Sequence, residues 1–541
     1  MIAFIKKYPL LVLIIVSVVM LFSHLGLIQT NIMEARNLIT AREMVNEGHW
    51  VFTTMNGLPR YEKPPLPTWI TAFFMLIGGM KNMFILRLPV ALVCLMLVYF
   101  FYKLMQLFKF EKNHSLNASL ILITSFYIFF AGRDNQWDMY THAFMIVCIY
   151  FLLKAFNETK STILNVLLSG LFFGCSFLSK GPVSFYGLFL SFIISYFIIY
   201  KKSAGRKAKL LLFVLLIGLL IGFSWPLYVK YFDVYAGAAL SKQTQNWGDY
   251  EVKPFYYYWS FFTQSGVWTI PSFIALMYFY LRKKVTDVKA YTFSFLWTII
   301  SLILLSAIPE KKARYTLPIL IPLAINTSFY IQYLINNFKQ IKNKFENGLV
   351  YFSFSLIALI GFAIPFAVFF LFKSKLDNYI FWFVLLSLIS FSCGYLIVKS
   401  LFKKQFAQTF YTTIFFMCGI VFTVIPLSKM YYTNNNYYSA TNLHTIEKKF
   451  NIKTYTYNGF EPEIVWDYGN VIPDIKTDSV ISIPQKNFGL LLGANDESNF
   501  INNKNYQFTK LATVDLNALS KNDKGYNKRL VKNYYLVRKT N

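Results

Sequence analysis

Acidic and basic side chains able to do chemistry gather at four places in this chain. Glu34, Arg36 and the run Tyr61-Glu62-Lys63 belong to the charged stretch 30–69, whose end is marked by Pro64-Pro65. Asp138 follows Arg133 and Asp134, Lys180 precedes Gly181-Pro182, and the last group is Glu310-Lys311-Lys312-Ala313-Arg314-Tyr315. Each adjoins apolar sequence, and one mixed carboxylate and cation site would explain all of them, gripping an anion while a carboxylate takes or orients a proton. Simpler roles exist for several. Glu34 also completes a capping box with Asn31, and Lys180 and the 311–314 group also suit solvated anchors that snorkel from span ends. Asp138 has no such easy alternative, because a carboxylate abutting a span is costly unless paired or hydrated.

Other chemistries lack residues to carry them. His24, His49, His114, His142 and His444 are scattered without metal-ligand spacing. Cys94, Cys148, Cys175, Cys393 and Cys418 all fall inside apolar runs, unpaired in spacing, and read as packing residues. No Walker loop, dinucleotide fingerprint or G-x-S-x-G is present, so the energy for a reaction has to come from the substrate.

The elements that position these groups are membrane spans. With 56% hydrophobic and 14% charged residues, the chain uses lipid as solvent. The formal charge of +28 collects in loops rather than on a nucleic-acid face. Loops 201–209, 282–289 and 399–404 are basic and read as cytoplasmic. About thirteen transmembrane helices follow, beginning with 9–28 and continuing through 83–108, 116–130, 139–156, 163–179, 183–200, 210–228 and 268–281 to five further spans that end near Leu427. The N-terminus is then inside, and the first outer loop, about 29–82, carries a helix from Asn31 to Gly48. Leu38, Ala41, Met44 and Val45 share one face of that helix, which predicts that it lies along the membrane surface. Residues 69–78 belong in the interface. The expected fold is a polytopic α-helical membrane domain, 1–428, followed by a small soluble α/β domain, 429–541, on the outer side, with strands near 453–457, 479–483 and 534–537.

Taken together, EARNLITAREMVNEGHWVFTTMNGLPRYEKPPLPTWITA, WDM at 137–139, LSKGP at 178–182 and KKARYTLPILIP at 311–322 resemble the aminoarabinose transferase and protein O-mannosyltransferase group of GT-C glycosyltransferases. The resemblance covers roughly the first 320 residues. It implies transfer of a sugar from a polyprenyl-phosphate carrier to a lipid A-like, glycan or protein acceptor on the outer face, and the Lys-, Asn- and Ile-rich tail, which suggests a bacterial protein, points to undecaprenyl phosphate in an inner membrane with a periplasmic outer face. It also implies Glu34 and Asp138 as the catalytic acidic residues, Lys63 as donor-phosphate ligand with Glu62 beside it, and Arg314 with Tyr315 as a second phosphate contact. Arg36, Tyr61, Arg133, Lys180 and Lys312 complete the expected site. The family's acidic pair in the first loop is Met33-Glu34 here, so only its second position is acidic. Some relatives hold a divalent metal near the site, but the outer loop 229–266 contains no histidine.

The chemistry expected is inverting displacement at the anomeric carbon with the lipid phosphate leaving. A hydroxyl acceptor needs a base; an ionised phosphate acceptor does not. The rival readings are a transporter or flippase of a lipid-linked sugar, whose charges belong near the membrane midplane on broken helices, and a non-catalytic glycolipid-binding protein.

Overall fold

The computed structural model describes residues 2–158, 161–200, 204–477, 480–481, 484, 487–494, 496–497 and 506–539. The chain divides into two compact units: Met1–Leu27, Tyr61–Ile70 and Lys81–Leu427 form the first, and Ile28–Arg60, Thr71–Met80 and Ser428–Asn541 the second. The C-terminal boundary thus falls at Leu427. Most of the first loop groups with the C-terminal residues, where the sequence reading assigned it to the membrane domain.

The first unit is helical. Among the described residues, eight segments are long and apolar enough to cross a membrane, and one of them, Lys344–Phe402, holds two helices, Lys344–Phe372 and Ile380–Phe402. The other expected spans are helical but shorter or interrupted. Pro9–Phe22 has 14 residues; 112–131 breaks at Ser125, whose ψ is 128°; Phe185–Leu190 is a π-helical turn leading into Ser191–Ile199; and 268–281 is split into Thr269–Ala275 and Tyr278–Leu281. None of these pieces alone reaches the ~20 residues that an upright span requires.

The helix Trp137–Asn157 is buried along most of its length and packs on Thr162–Lys180. Hydroxyls fix their register: Thr141 Oγ1 donates to the Ser176 carbonyl at 3.0 Å, Ser176 Oγ donates back to the Thr141 carbonyl at 2.8 Å, and Ser169 Oγ donates to the Cys148 carbonyl at 2.9 Å. Such interhelical bonds hold helices together where lipid offers no hydrophobic drive. Thr162–Lys180 meets Ala204–Phe232 through paired glycines, Gly170 and Gly174 on one helix, Gly218 and Gly222 on the other. A Cβ on Gly174 would lie 2.5 Å from Ile221, and one on Gly218 would lie 2.3 Å from the Phe173 ring. Only small residues permit so close a crossing.

The second unit is α/β. Its four-stranded sheet has the order Thr454–Thr456, Phe488–Leu492, Val531–Lys539, Tyr506–Asp515; the first pair is parallel and the others antiparallel. Phe488–Leu492 lies inside the sheet, and all five of its residues are buried. The strands expected at 453–457 and 534–537 are therefore present, whereas the one at 479–483 falls largely outside the described residues.

The helix Ile32–Glu47 begins and ends where its caps predict. Asn31 Oδ1 accepts from the Met33 and Glu34 amides at 2.9 and 3.1 Å, and Gly48 closes it with φ 76°. Its expected polar face is not solvent-exposed. Arg42 and Glu43, expected on its polar face, are buried inside the second unit, as is Ile39. Arg42 donates to the Val465 carbonyl at 3.1 Å. Glu43 accepts from Thr54 Oγ1 and the Asn56 amide, both at 2.6 Å, and so caps the hairpin Thr54–Met55/Leu58–Pro59. Asn56 and Gly57 turn that hairpin with φ 56° and 75°, the backbone that an Asn-Gly pair favours. Asn56 then exchanges two 2.8 Å hydrogen bonds with the Ile472 backbone. The buried charges have protein partners, so helical patterning alone mistook a buried, partnered face for a solvated one.

Candidate active site

In the first unit a cavity of about 490 Å³ opens among residues from four sequence regions. Tyr61, Glu62, Lys63 and Pro64 form one side. Phe177, Lys180 and Gly181 come from the end of Thr162–Lys180, Trp225 and Lys230 from Ala204–Phe232, and Tyr258, Glu310 and Tyr315 from the later segments. The lining is largely apolar with a few convergent charges, as expected of a site for an amphipathic ligand.

The charges are ordered. Register between the two hydroxyl-locked helices sets Asp138, in the first turn of one, against Lys180, in the last turn of the other, and they form a buried ion pair. The Lys180 ammonium lies 4.7 Å from the Tyr315 ring centre. Tyr315 donates its hydroxyl to Glu310 at 3.1 Å, and Lys312 pairs with the same carboxylate at 3.0 Å. Arg314 lies 5.8 Å from the Tyr315 ring and is near enough to Asp138 and Lys180 for their charges to interact. Asp138, Lys180, Tyr315, Glu310 and Lys312 thus form a chain of alternating charge bridged by a phenol.

Tyr61 is fixed by donating its hydroxyl to Asp233. Burial, and then the Asp233 carboxylate, push that phenol well above its ordinary range. Tyr258, raised mainly by burial, receives the Lys312 amide at 3.0 Å.

Of the residues singled out in the sequence, Tyr61, Glu62, Lys63, Lys180 and Tyr315 line the cavity, and Asp138, Arg314 and Lys312 stand in contact with its lining. Arg133 has a different task. Its guanidinium donates to the carbonyls of Met20, Leu21 and Ser23 at 2.9, 3.1 and 2.5 Å, capping the C-terminal end of Pro9–Phe22. Glu34 and Arg36 belong to the second unit, where Glu34 is buried in the first turn of its helix and Arg36 Nη1 contacts Met33 Sδ at 3.9 Å. Lys311 donates to the Ile308 and Lys253 carbonyls at 2.6 and 3.0 Å and so braces a turn; burial lowers its ammonium pKa.

Sequence reasoning passed over Lys230, and it counted Glu310 among the converging charges without giving it a role. The signal for Lys230 was available in the spaced glycines, since a helix packed at Gly218 and Gly222 places Trp225 and Lys230 beyond the end of its neighbour. Among the described residues no three His, Cys, Asp or Glu side chains are placed to hold a metal ion. Of the carboxylates lining the cavity, Glu310 is engaged by Lys312 and Tyr315, and the donor set does not fit a metal.

The described residues thus form a multi-helix first unit with a charged cavity at helix ends and a small mixed-sheet second unit. The crystal structure of ArnT from Cupriavidus metallidurans in the apo state shares that fold with a TM-score of 0.67 at 14% identity, over 99% of this chain and 98% of the other. The undecaprenyl phosphate-bound form of that protein gives 0.66 at 13% identity, over 99% and 97%. Residues 62–228 match the family described as dolichyl-phosphate-mannose-protein mannosyltransferase. In sequence the chain resembles undecaprenyl phosphate-alpha-4-amino-4-deoxy-L-arabinose arabinosyl transferase of Shewanella sediminis, 26% identical over 320 residues and 54% of each chain. A second transferase of that kind, from Proteus mirabilis, is 29% identical over 201 residues, 36% of this chain and 35% of the other. The chain therefore matches about half, or less, of the length of these curated relatives.

Proposed function

We propose that this protein is a GT-C glycosyltransferase that takes a sugar from a polyprenyl-phosphate donor and passes it to an acceptor by inverting displacement. The observation that carries the reading is the cavity itself: a largely apolar lining of about 490 Å³ shared with Lys63, Lys180 and Lys230 and with the carboxylates Glu62 and Glu310. Cations fixed before reaction stabilise charge as it builds on a leaving phosphate. The likeness to a structure bound to undecaprenyl phosphate supports that lipid as carrier.

Lys63 is assigned to the donor phosphate, with Arg314 and Tyr315 as a second contact. Asp138 pairs with Lys180 and aims it. Its engagement there favours an acceptor that needs no strong base, an ionised phosphate such as that of a lipid A-like glycolipid. The topology proposed is about thirteen crossings in a bacterial inner membrane, with the N-terminus cytoplasmic and the cavity and second unit periplasmic.

The test is transfer of labelled sugar from membrane polyprenyl-phosphate donors to endogenous acceptors, with wild type compared to Lys63→Ala at matched expression. Labelled acceptor from wild type and its loss in the variant are expected. Protein-dependent movement of labelled lipid across the membrane without product overturns the proposal in favour of a transporter.

A further inference from the structure

A second cavity, of about 740 Å³, lies wholly within the second unit and has no part in the mechanism above. Its floor is the edge of the sheet. Tyr438 pairs with Asp515 through two backbone hydrogen bonds of 3.0 and 3.1 Å, and Asn533, on the neighbouring strand, is held by Thr513 Oγ1 at 2.8 Å and by Glu497 at 2.8 Å. The negative charge of Asp515 is spent internally: Oδ1 accepts from the Asn517 amide and side chain at 2.9 and 2.8 Å, and Oδ2 accepts from the Tyr526 hydroxyl at 2.9 Å.

The rim differs from the floor. Lys521 and Lys528 are exposed and, among the described residues, form no ion pair, and the side chains of Asn435 and Asn436 make no hydrogen bond there. Tyr437 is 50% exposed beside them. This is a rigid base under unoccupied ammonium groups, amides and a ring face. Amides match vicinal hydroxyls by donating and accepting together, tyrosine gives an amphipathic stacking surface at small entropic cost, and two unpaired lysines favour a phosphate.

We infer that this cavity binds a phosphorylated saccharide, with Lys521 and Lys528 on the phosphate and Asn435, Asn436 and Tyr437 on the sugar. The site does not depend on the first unit being a transferase. Its ligand could be a free sugar phosphate or the headgroup of a phosphorylated glycolipid, and the experiment separates the two.

Full-length protein in nanodiscs is titrated with glucosamine 1-phosphate, glucosamine and inorganic phosphate, followed by saturation-transfer NMR. Binding of glucosamine 1-phosphate is expected, weakened roughly tenfold or more in Lys521→Ala/Lys528→Ala, since a charge-assisted hydrogen bond is worth about 1.5–3 kcal/mol. Tyr437→Ala is expected to weaken it as well, and Lys63→Ala to leave it unchanged, which keeps this result separate from the first unit's role. Competition by nanodiscs containing a phosphorylated glycolipid assigns the headgroup as source; its absence assigns the free sugar phosphate. Inorganic phosphate binding as tightly as the sugar phosphate overturns the saccharide assignment. Binding unaffected by the lysine pair, in variants whose melting temperature matches wild type, overturns the site.

Discussion

At the scale of single residues, the Asp138–Lys180 pair decides how the site is held. Both side chains are almost fully buried, so removing one charge strands the other, at a cost of about 3–5 kcal/mol, whereas replacing both with apolar groups is often neutral. Asp138→Asn is therefore expected to lower the melting temperature in nanodiscs, and Asp138→Leu/Lys180→Met to recover most of it while transfer stays lost. Recovery of transfer in the double variant would make the pair structural only. A different carboxylate sets the acid response of the second unit. Burial pushes Glu447 up, but hydrogen bonds from the Thr454 amide, the Tyr468 hydroxyl and His444, at 3.0, 2.7 and 2.7 Å, together hold it below its ordinary 4.5. A carboxyl depressed on folding contributes stability above its unfolded pKa, and that contribution is lost as pH falls through the folded value. Hydrogen exchange in the Leu443–Phe450 helix is expected to rise below about pH 4.5 in wild type, and Glu447→Gln to flatten that dependence. Residue types were legible in the sequence; partners were not. Asp138 stood out because a carboxylate at a span end demands an explanation, yet nothing in the one-dimensional order said that Lys180 supplies it or that Arg133 caps another helix.

At the scale of elements, glycine spacing does what charge patterning could not show. Gly170 and Gly174 face Gly218 and Gly222, and the helices they join deliver Phe177, Lys180, Trp225 and Lys230 to the cavity. Gly174→Val forces side-chain volume into Ile221, an overpacking cost of about 1–3 kcal/mol. The expected outcome is a lower melting temperature with a raised KM for the lipid donor. Gly348→Ala, at a helical glycine with open space around it, is the control and is expected to be neutral or to stabilise by up to ~1 kcal/mol. An unchanged donor KM in Gly174→Val would separate this crossing from the cavity. Long helices were readable from apolar runs alone because length and hydropathy set them. The interruptions at Ser125 and near Leu276 were not readable: in a run of uniformly apolar residues, nothing local distinguishes a broken helix from a whole one. Ile32–Glu47 shows the converse. Its caps were legible to the residue, but its surroundings came from sequence more than 400 positions away, so an apparent polar face proved to be buried.

At the scale of the whole molecule, one of the boundaries between the two units along the chain falls at the peptide bond from Arg60 to Tyr61, immediately before Glu62 and Lys63. Each side is pinned within its own unit. The Arg60 amide bonds the Thr53 carbonyl at 2.8 Å and its guanidinium reaches Thr40 Oγ1 at 3.0 Å, while Tyr61 is anchored to Asp233. A chain ending at Leu427 keeps every residue of the first unit's cavity but removes the apolar neighbours of Ile39 and the partners of Arg42 and Asn56, leaving those buried polar groups unmatched at about 1–3 kcal/mol each. The segment 28–60 is then expected to lose its fold and to be cleaved by trypsin at Arg36, Arg42 and Arg60, sites protected in the full chain. With Arg60 released, Lys63 loses one of its two fixed flanks. Small misplacement of a group that orients a reacting phosphate costs rate steeply, so transfer is expected to fall roughly tenfold or more even though Lys63, Asp138 and Lys180 are intact. Arg42→Met in the full-length protein tests the same link without truncation: it is expected to raise tryptic cleavage at Arg60 and to lower kcat in parallel. Cleavage that rises while kcat holds would show that Tyr61 and Asp233 alone suffice to place the phosphate-binding lysine.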